Sequence, residues 1–282
     1  MKETEKVKTL QQRIITGDSA KVLPELIKRN EAGTYHLAIT SPPYWRLVEY
    51  NAGSGDLSMM KTEEEFTKEL TGIYSAVARL LTPRGTFVQQ WEDLTIRRPD
   101  GRTGELMLSC INDAAEDAGL TLYSRWIWRK YTKKPLYMPS SFDMASSGLA
   151  RPNPNWSYAF AYKKDMQTDM NPVKTEVTKE EWSKWSDGVW DFNNPGVDYH
   201  DTPFAPELVD RFLKIYTNQG DRVLDPFGGS GTTLNQCLDN CRACTMVELD
   251  PKYVDGIKKR VSWGRQTLGY KYEYKFEDLS KL

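Results

Sequence analysis

Four cysteines are spread through 282 residues without paired spacing, so no disulfide framework is expected and the cytoplasm, a reducing compartment, is the expected location. Three of them, Cys237, Cys241 and Cys244, have no histidine beside them; thiols on a helix and the following strand read as core packing, and no metal is expected. No stretch reaches the ~18 apolar residues of a membrane span, and Met1 to Lys6 carries no signal-peptide core, so no membrane partner is expected. The net charge of −1 excludes attraction to nucleic acid by overall charge, and any such affinity must reside in a local patch. Repeats and low-complexity tracts are missing too. The 39% apolar content with nine tryptophans suffices for one large domain or a domain with an insertion.

What is present centres on Asp225-Pro226-Phe227-Gly228-Gly229-Ser230-Gly231-Thr232-Thr233. The apolar run Arg222 to Leu224 before it reads as a buried parallel strand, and Thr232 to Asn240 after it as a helix. Strand, glycine turn and helix let bare backbone N–H groups and a helix N-terminus approach a ligand. No lysine follows the last glycine, and Leu234 replaces the third glycine of a dinucleotide fingerprint, so a phosphate ligand is not implied. The strand Cys244 to Val247 then ends in Glu248, whose carboxylate suits the two O–H donors of a ribose. A nucleoside without a pyrophosphate is the expected ligand, and S-adenosylmethionine fits. The alternative is a glycine-rich turn with a structural role alone.

A second anchor is Ser41-Pro42-Pro43-Tyr44, reached directly from the apolar strand Tyr35 to Thr40. Two prolines stiffen the chain and remove two N–H donors, while their carbonyls remain free to accept. With a serine hydroxyl and a tyrosine ring beside them, they form a rigid platform for a planar group bearing an NH2. The other reading is a proline-stiffened loop with a core tyrosine.

The rest of the chain alternates strand and helix. Residues 1–12 read as a frayed charged leader. Arg13 to Asp18 reads as a strand and Ser19 to Asn30 as a helix capped by Ser19; Asp18 itself is open to a role as cap or turn residue. The loop Asn51 to Met60 either closes over the platform or is merely exposed. Thr62 to Glu65 is a capping box for a helix that buries Phe66, Leu70, Ile73, Val77 and Leu80. Pro83-Arg84-Gly85 turns into a strand, Thr86 to Gln90, beyond which Asp93 is either an organiser of the platform or a solvated carboxylate. A further helix ends near Gly119. Tyr123 to Lys164 then holds eight Lys or Arg against one acid, Asp143, with eight Tyr and Trp interleaved. Its strands, around Trp126 to Trp128 and Trp156 to Phe160, are expected in the core. Its basic loops either lie along a phosphate backbone or form a solvated face. Helices are expected over Glu207 to Tyr216 and Pro251 to Trp263, and the tail from Gly264 carries no clear signal.

Thr40-Ser-Pro-Pro-Tyr-Trp45 and Asp225-Pro-Phe-Gly-Gly-Ser-Gly-Thr-Thr233 together resemble the amino-methylating DNA methyltransferases. The order, catalytic stretch first and cofactor turn last, is similar to that of their β class, and Asp201 to Leu208 resembles the element upstream of the turn. The resemblance runs, with gaps, from about Gly17 to about Ile257. It implies a doubly wound, mostly parallel α/β sheet with a small target-recognition insert. The catalytic half would span 13–124, a DNA-contacting and recognition region 125–200, and a cofactor-binding half 201–263. Within it, Asp225, Phe227, Gly228, Gly229, Ser230, Gly231 and Thr232 would hold the methionine end of S-adenosylmethionine, Glu248 the ribose and Asp18 the adenine side. Phe204 would border the cofactor, unless it is simply a core aromatic. Ser41 and the Pro42 carbonyl would meet the target amine, with Pro43 stiffening the platform and Tyr44 stacking on a flipped base. Arg125, Arg129, Lys130, Lys133, Lys134 and Arg151 would contact double-stranded DNA, and a cognate restriction endonuclease is the implied partner. The Ser-Pro-Pro-Tyr form looks most like the N4-cytosine enzymes, with N6-adenine methylation as the alternative. A Pro-Cys dipeptide, the nucleophile of carbon-5 methylation, is absent. Readings of other kinds are methylation of RNA or protein amines, and a non-catalytic DNA-binding module.

Overall fold

The computed structural model describes residues 7–45, 55–92, 94–97, 103–106, 108–130, 156–164, 176–193, 204–261 and 266–282. Parallel strands form its centre: β1 (Lys8–Thr16), β2 (Tyr35–Thr40), β3 (Leu81–Trp91), β9 (Arg222–Asp225) and β10 (Ala243–Glu248) lie in the order β1-β10-β9-β2-β3. Successive side chains of a strand face opposite sides of a sheet, so a strand buried on both faces needs consecutive apolar residues. Ile14-Ile15, Ala38-Ile39, Phe87-Val88, Val223-Leu224 and Met246-Val247 supply them, one of each pair in either core. One core is closed by helices α1 (Ser19–Leu26), α2 (Glu63–Leu80) and α3 (Leu108–Asp117), the other by α5 (Pro206–Tyr216), α6 (Thr232–Asp239) and α7 (Pro251–Arg260). The fold is the doubly wound α/β sheet that the sequence predicts, with the late strand β9 central.

Three strands extend the sheet past β3: β7 (Trp156–Lys163) and β6 (Thr121–Lys130) run antiparallel in turn, and β8 (Val189–Phe192) pairs parallel with β6. The interval 125–200 therefore contributes strands to the main sheet. Trp126 and Trp128 are core residues as expected, and Trp185 of α4 (Lys179–Trp185) and Trp190 are buried with them against Phe212. Trp182, by contrast, is 48% exposed. A separate hairpin pairs β4 (Leu94–Arg97) with β5 (Thr103–Leu106).

Both chain ends depart from expectation. β1 begins at Lys8 inside the supposed leader, where buried Gln12 donates to the Arg242 carbonyl and accepts from the Cys244 N–H. The tail forms β11 (Gln266–Thr267) and β12 (Tyr270–Asp278), and β12 pairs parallel with β1 over nine residues. Smaller corrections have local causes. Asp18, rather than Ser19, caps α1, because its carboxylate accepts the Ala20 N–H while the Ser19 hydroxyl donates to the Pro226 carbonyl. α1 gives way at Ile27 to a π-helical turn in which Asn30 adopts φ 64°. Thr62 caps α2, but Glu65 reaches back to the Lys61 N–H, so the capping box is not reciprocal. The five predicted apolar residues of α2 are all buried. Pro83 to Gly85 lies within β3, where the register against β2 shifts. Cys237, Cys241 and Cys244 are free and buried in the core. Among the described residues no helix is long and apolar enough to cross a membrane.

Candidate active site

The parallel strands end on one edge at Thr16, Thr40, Trp91, Asp225 and Glu248. Open α/β sheets bind ligands outside such carboxyl ends. The cleft found there is lined from the platform by Ser41 and Pro43, from the turn by Asp225 to Ser230 and Thr232, and from neighbouring elements by Asp18, Phe204 and Glu248. Of the predicted catalytic and cofactor residues, Pro42, Tyr44 and Gly231 stand behind its walls. Asp56 and Leu57 come from the loop read as either closing over the site or exposed, while sequence reasoning missed Ile73 on one side and Leu249, Asp250 and Tyr253 on the other. Asp250 also caps α7 by accepting the Lys252 N–H, so the Asp-Pro helix start was its only sequence signal.

The glycine turn is held from within. Asp225, 2% exposed, accepts from Thr40 Oγ1 (2.9 Å), from the Phe227 N–H (3.0 Å) and from Thr233 Oγ1 (2.6 Å). Three of the roughly four acceptor sites of a carboxylate are thus taken by the protein. Asp225 organises the turn more than it faces the cleft. The Gly228 N–H donates to the Val247 carbonyl at 2.9 Å, and a Cβ on Gly228 would lie 2.2 Å from Met246 Cε. That glycine allows the turn to sit against β10. Gly231 starts α6 at φ 88°, where a side chain would be strained.

Glu248 accepts the Gly229 N–H on Oε2 (2.7 Å) and the Asp250 N–H on Oε1 (2.8 Å). One donor on each oxygen leaves lone pairs for two more hydroxyls, the requirement of a ribose diol. Burial holds both carboxyls above their ordinary range, Asp225 at about 6 and Glu248 at about 7, against hydrogen bonds that favour the anions. With Phe227, Leu249 and Tyr253 as apolar lining, this set of acceptors fits a nucleoside.

On the opposite wall, Ser41 Oγ donates to Gln90 Oε1 at 2.8 Å. Tyr44 is 4% exposed, with its ring edge-on to Trp91 at 5.2 Å. Trp45 Nε1 donates to the Met60 carbonyl (2.7 Å), which ties the end of the platform to the segment before α2. Gly55 and Asp56, from the loop read as either a cover or an exposed stretch, reach the cleft, with the Gly55 Cα so near Asp18 that a Cβ would meet its Oδ2 at 2.7 Å.

The basic residues divide. Arg125 is exposed on β6. Arg129 forms a two-bonded pair with Asp191, its Nη2 at 2.7 Å from Oδ2, and Lys130 pairs with Glu92. Lys133, Lys134 and Arg151 lie outside the described residues, as do Asp93 and Asp201 to Pro203.

Known proteins share this architecture. TTHA0409 of Thermus thermophilus, in complex with S-adenosyl-L-methionine, superposes with a TM-score of 0.71 at 28% identity, covering 95% of this chain and 99% of that one. The PvuII DNA methyltransferase (cytosine-N4-specific) has a TM-score of 0.66 at 21% identity over 93% of this chain and 90% of its own, a likeness of fold. In sequence, the Type II methyltransferase M.XycI of Xanthomonas campestris pv. cyanopsidis is 28% identical over 86% of this chain and 84% of its own length. M.BglI of Bacillus subtilis, also a Type II methyltransferase, is 34% identical over 54% of this chain and 42% of its own. The DNA methylase model of the N6/N4 methyltransferases matches residues 35–259, which takes in both the Ser41 platform and the glycine turn, and the chain belongs to that family.

Proposed function

We propose that the chain is a Type II modification methyltransferase that methylates N4 of cytosine within a short sequence of double-stranded DNA. The observation that carries this reading is a single cleft lined by both the Ser41-Pro43 platform and the Glu248 and glycine-turn wall. When bound, S-adenosylmethionine supplies the methyl group, with Glu248 holding its ribose and the turn from Phe227 to Thr232 its methionine end. Asp18 and Phe204 border the same ligand.

An exocyclic amine is shielded in the base stack, so the cytosine must be flipped out to reach the cleft. Ser41 Oγ and the Pro42 carbonyl then accept its N–H donors and draw the nitrogen lone pair out of conjugation, while Tyr44, buried against Trp91 behind the wall, turns outward to offer its ring for stacking. The chain thereby turns that lone pair towards the wall where Glu248 and the glycine turn would hold the methyl donor, which would supply the methyl group. The proton displaced from nitrogen would pass to water. The chain's contribution is alignment, and no covalent adduct with the protein forms. The choice of cytosine rests on resemblance alone: Ser before Pro-Pro-Tyr, with Thr40 ahead and Trp45 behind, is similar to the N4-cytosine enzymes.

Arg125 with Lys133, Lys134 and Arg151 carries the contact to phosphates. Arg129 and Lys130 contribute less, since Asp191 and Glu92 already balance their charge. A restriction endonuclease cutting the same sequence is the expected companion, and both act in the cytoplasm. Nucleoside mass spectrometry of DNA from cells expressing the protein tests the assignment. N4-methylcytosine is expected; N6-methyladenine alone would overturn the choice of base, and unmethylated DNA the activity itself.

A further inference from the structure

Gln90 holds a place in the platform that its sequence context does not reveal. It follows Gln89, the β3 residue paired with Thr40 of β2, so it lies beside Ser41 where β2 ends. The two glutamines face opposite sides of the sheet. Gln89 serves the core, accepting from Tyr74 OH (2.6 Å) and donating to Tyr162 OH (2.7 Å). Gln90, 4% exposed, serves the platform: Oε1 accepts from Ser41 Oγ at 2.8 Å, and Nε2 lies 3.5 Å from Tyr44 OH.

We propose that Gln90 is a positioning residue for the methyl transfer, acting through Ser41 and Tyr44; this rests on the amine-methylating reading above. An amide has one accepting end and one donating end. With its donor directed at Tyr44, its acceptor takes the single hydroxyl proton of Ser41. Ser41 then presents only lone pairs to the cleft, as an acceptor for the N–H of the target amine. A serine free to rotate would also donate its proton to the amine nitrogen, engaging the lone pair that must attack the methyl carbon. The same amide ties the tyrosine to the serine, so base stacking and amine alignment share one support. After transfer the nitrogen sheds one proton, and because neither a serine hydroxyl nor a glutamine amide accepts it near neutral pH, it leaves to water.

The test measures steady-state methylation of a duplex carrying the recognition sequence, alongside cofactor affinity by calorimetry and the melting temperature. Gln90→Leu should lower kcat about 10- to 100-fold, the scale of a misplaced reacting group, with cofactor affinity and KM for DNA unchanged. Gln90→Glu keeps volume and an acceptor for Ser41, and should retain more activity than Gln90→Leu. In a Ser41→Ala background, Gln90→Leu should cost clearly less than in the wild type, the remainder being its contact with Tyr44. Multiplying penalties, equal losses in the Leu and Glu variants, or unchanged kcat in Gln90→Leu would each overturn the role of Gln90. A wild-type protein that methylates no DNA would instead overturn the activity, and the positioning role with it.

Discussion

One wall of the cleft, from the end of β2, presents Ser41 and Pro43 backed by the Gln90 amide of β3, whereas the other, from β9 and β10, presents two carboxylates. Ser41, Pro42, Tyr44 and Gln90 are uncharged near neutral pH, and the bonds among Ser41, Gln90 and Tyr44 run sideways within the platform. Asp225 and Glu248 are buried acids that collect backbone and hydroxyl donors from the turn. The division separates two tasks. Holding a cofactor calls for charged acceptors with lone pairs to spare, while aligning a neutral amine calls for fixed neutral acceptors. Changes on the carboxylate wall should therefore appear in affinity and stability, and changes on the neutral wall in turnover.

The largest effect is expected at Asp225. Alanine there leaves two threonine hydroxyls and the Phe227 N–H without their acceptor in a buried turn. Unsatisfied buried donors cost about 1–3 kcal/mol each, and rotation of the hydroxyls recovers part of it, so Asp225→Ala should lose about 2–5 kcal/mol of stability in denaturant unfolding. Cofactor affinity should fall with it. Lost affinity at unchanged stability would make Asp225 a direct ligand instead of the organiser of its own turn.

On the neutral wall, Tyr44→Ala should leave cofactor affinity intact and reduce turnover on duplex DNA about 10- to 100-fold, since stacking of a base on an aromatic ring is worth ~1–3 kcal/mol. Tyr44→Phe keeps the ring against Trp91 and should fall much less. If Tyr44→Ala lowers the melting temperature while turnover survives, the ring belongs to the core alone, and the contrast between the walls loses one of its supports.

How far these walls were legible beforehand depends on the range of the contacts. The turn at Asp225 and the strap at Ser41 are local: glycines, prolines and apolar runs state their geometry within a few residues. Gln90 is not, because its meaning arises only when β3 settles beside β2 and brings it level with Ser41. Nor are Asp56 and Tyr253, which reach the cleft from separate elements. The tail was legible and overlooked: Tyr270, Tyr272, Tyr274 and Phe276 alternate with Lys and Glu, the period-2 signal of a strand with one apolar face. At the other end, β1 hides its first half behind Lys8 to Gln12, four polar residues around a single Leu10, whose pairing partners lie more than 200 residues away.

DNA affinity should reside in neither wall. Replacing Lys133 and Lys134 together with alanine should lower the slope of log affinity against log salt by about 2 and leave cofactor binding unchanged. Between 50 and 200 mM salt, that slope change corresponds to somewhat over tenfold, by the same counterion-release relation. Filter-binding or fluorescence titrations across salt measure it. An unchanged slope would turn the basic stretch away from the duplex and leave Arg125 of β6 as the better candidate.

The pH dependence of the carboxylate wall has two readouts of opposite sign, a loss of stability and, as the smallest effect expected, a gain in cofactor affinity. Burial raises the Glu248 carboxyl to about 7 and Asp225 to about 6, above their ordinary values of 4.5 and 3.8. The folded protein therefore holds protons that the unfolded chain has lost, and stability without cofactor should decline as pH rises from about 4 to about 7. Cofactor affinity should move the other way. A ribose diol donates to the carboxylate, so binding favours the anion, which accounts for about a tenth of Glu248 at pH 6 and about nine tenths at pH 8. Affinity measured by calorimetry should thus improve no more than about tenfold over that range. Glu248→Gln should flatten the rise at its weak end, whereas Tyr44→Phe should leave it untouched. A rise that persists in Glu248→Gln would place the titrating group elsewhere and take the ribose contact away from β10.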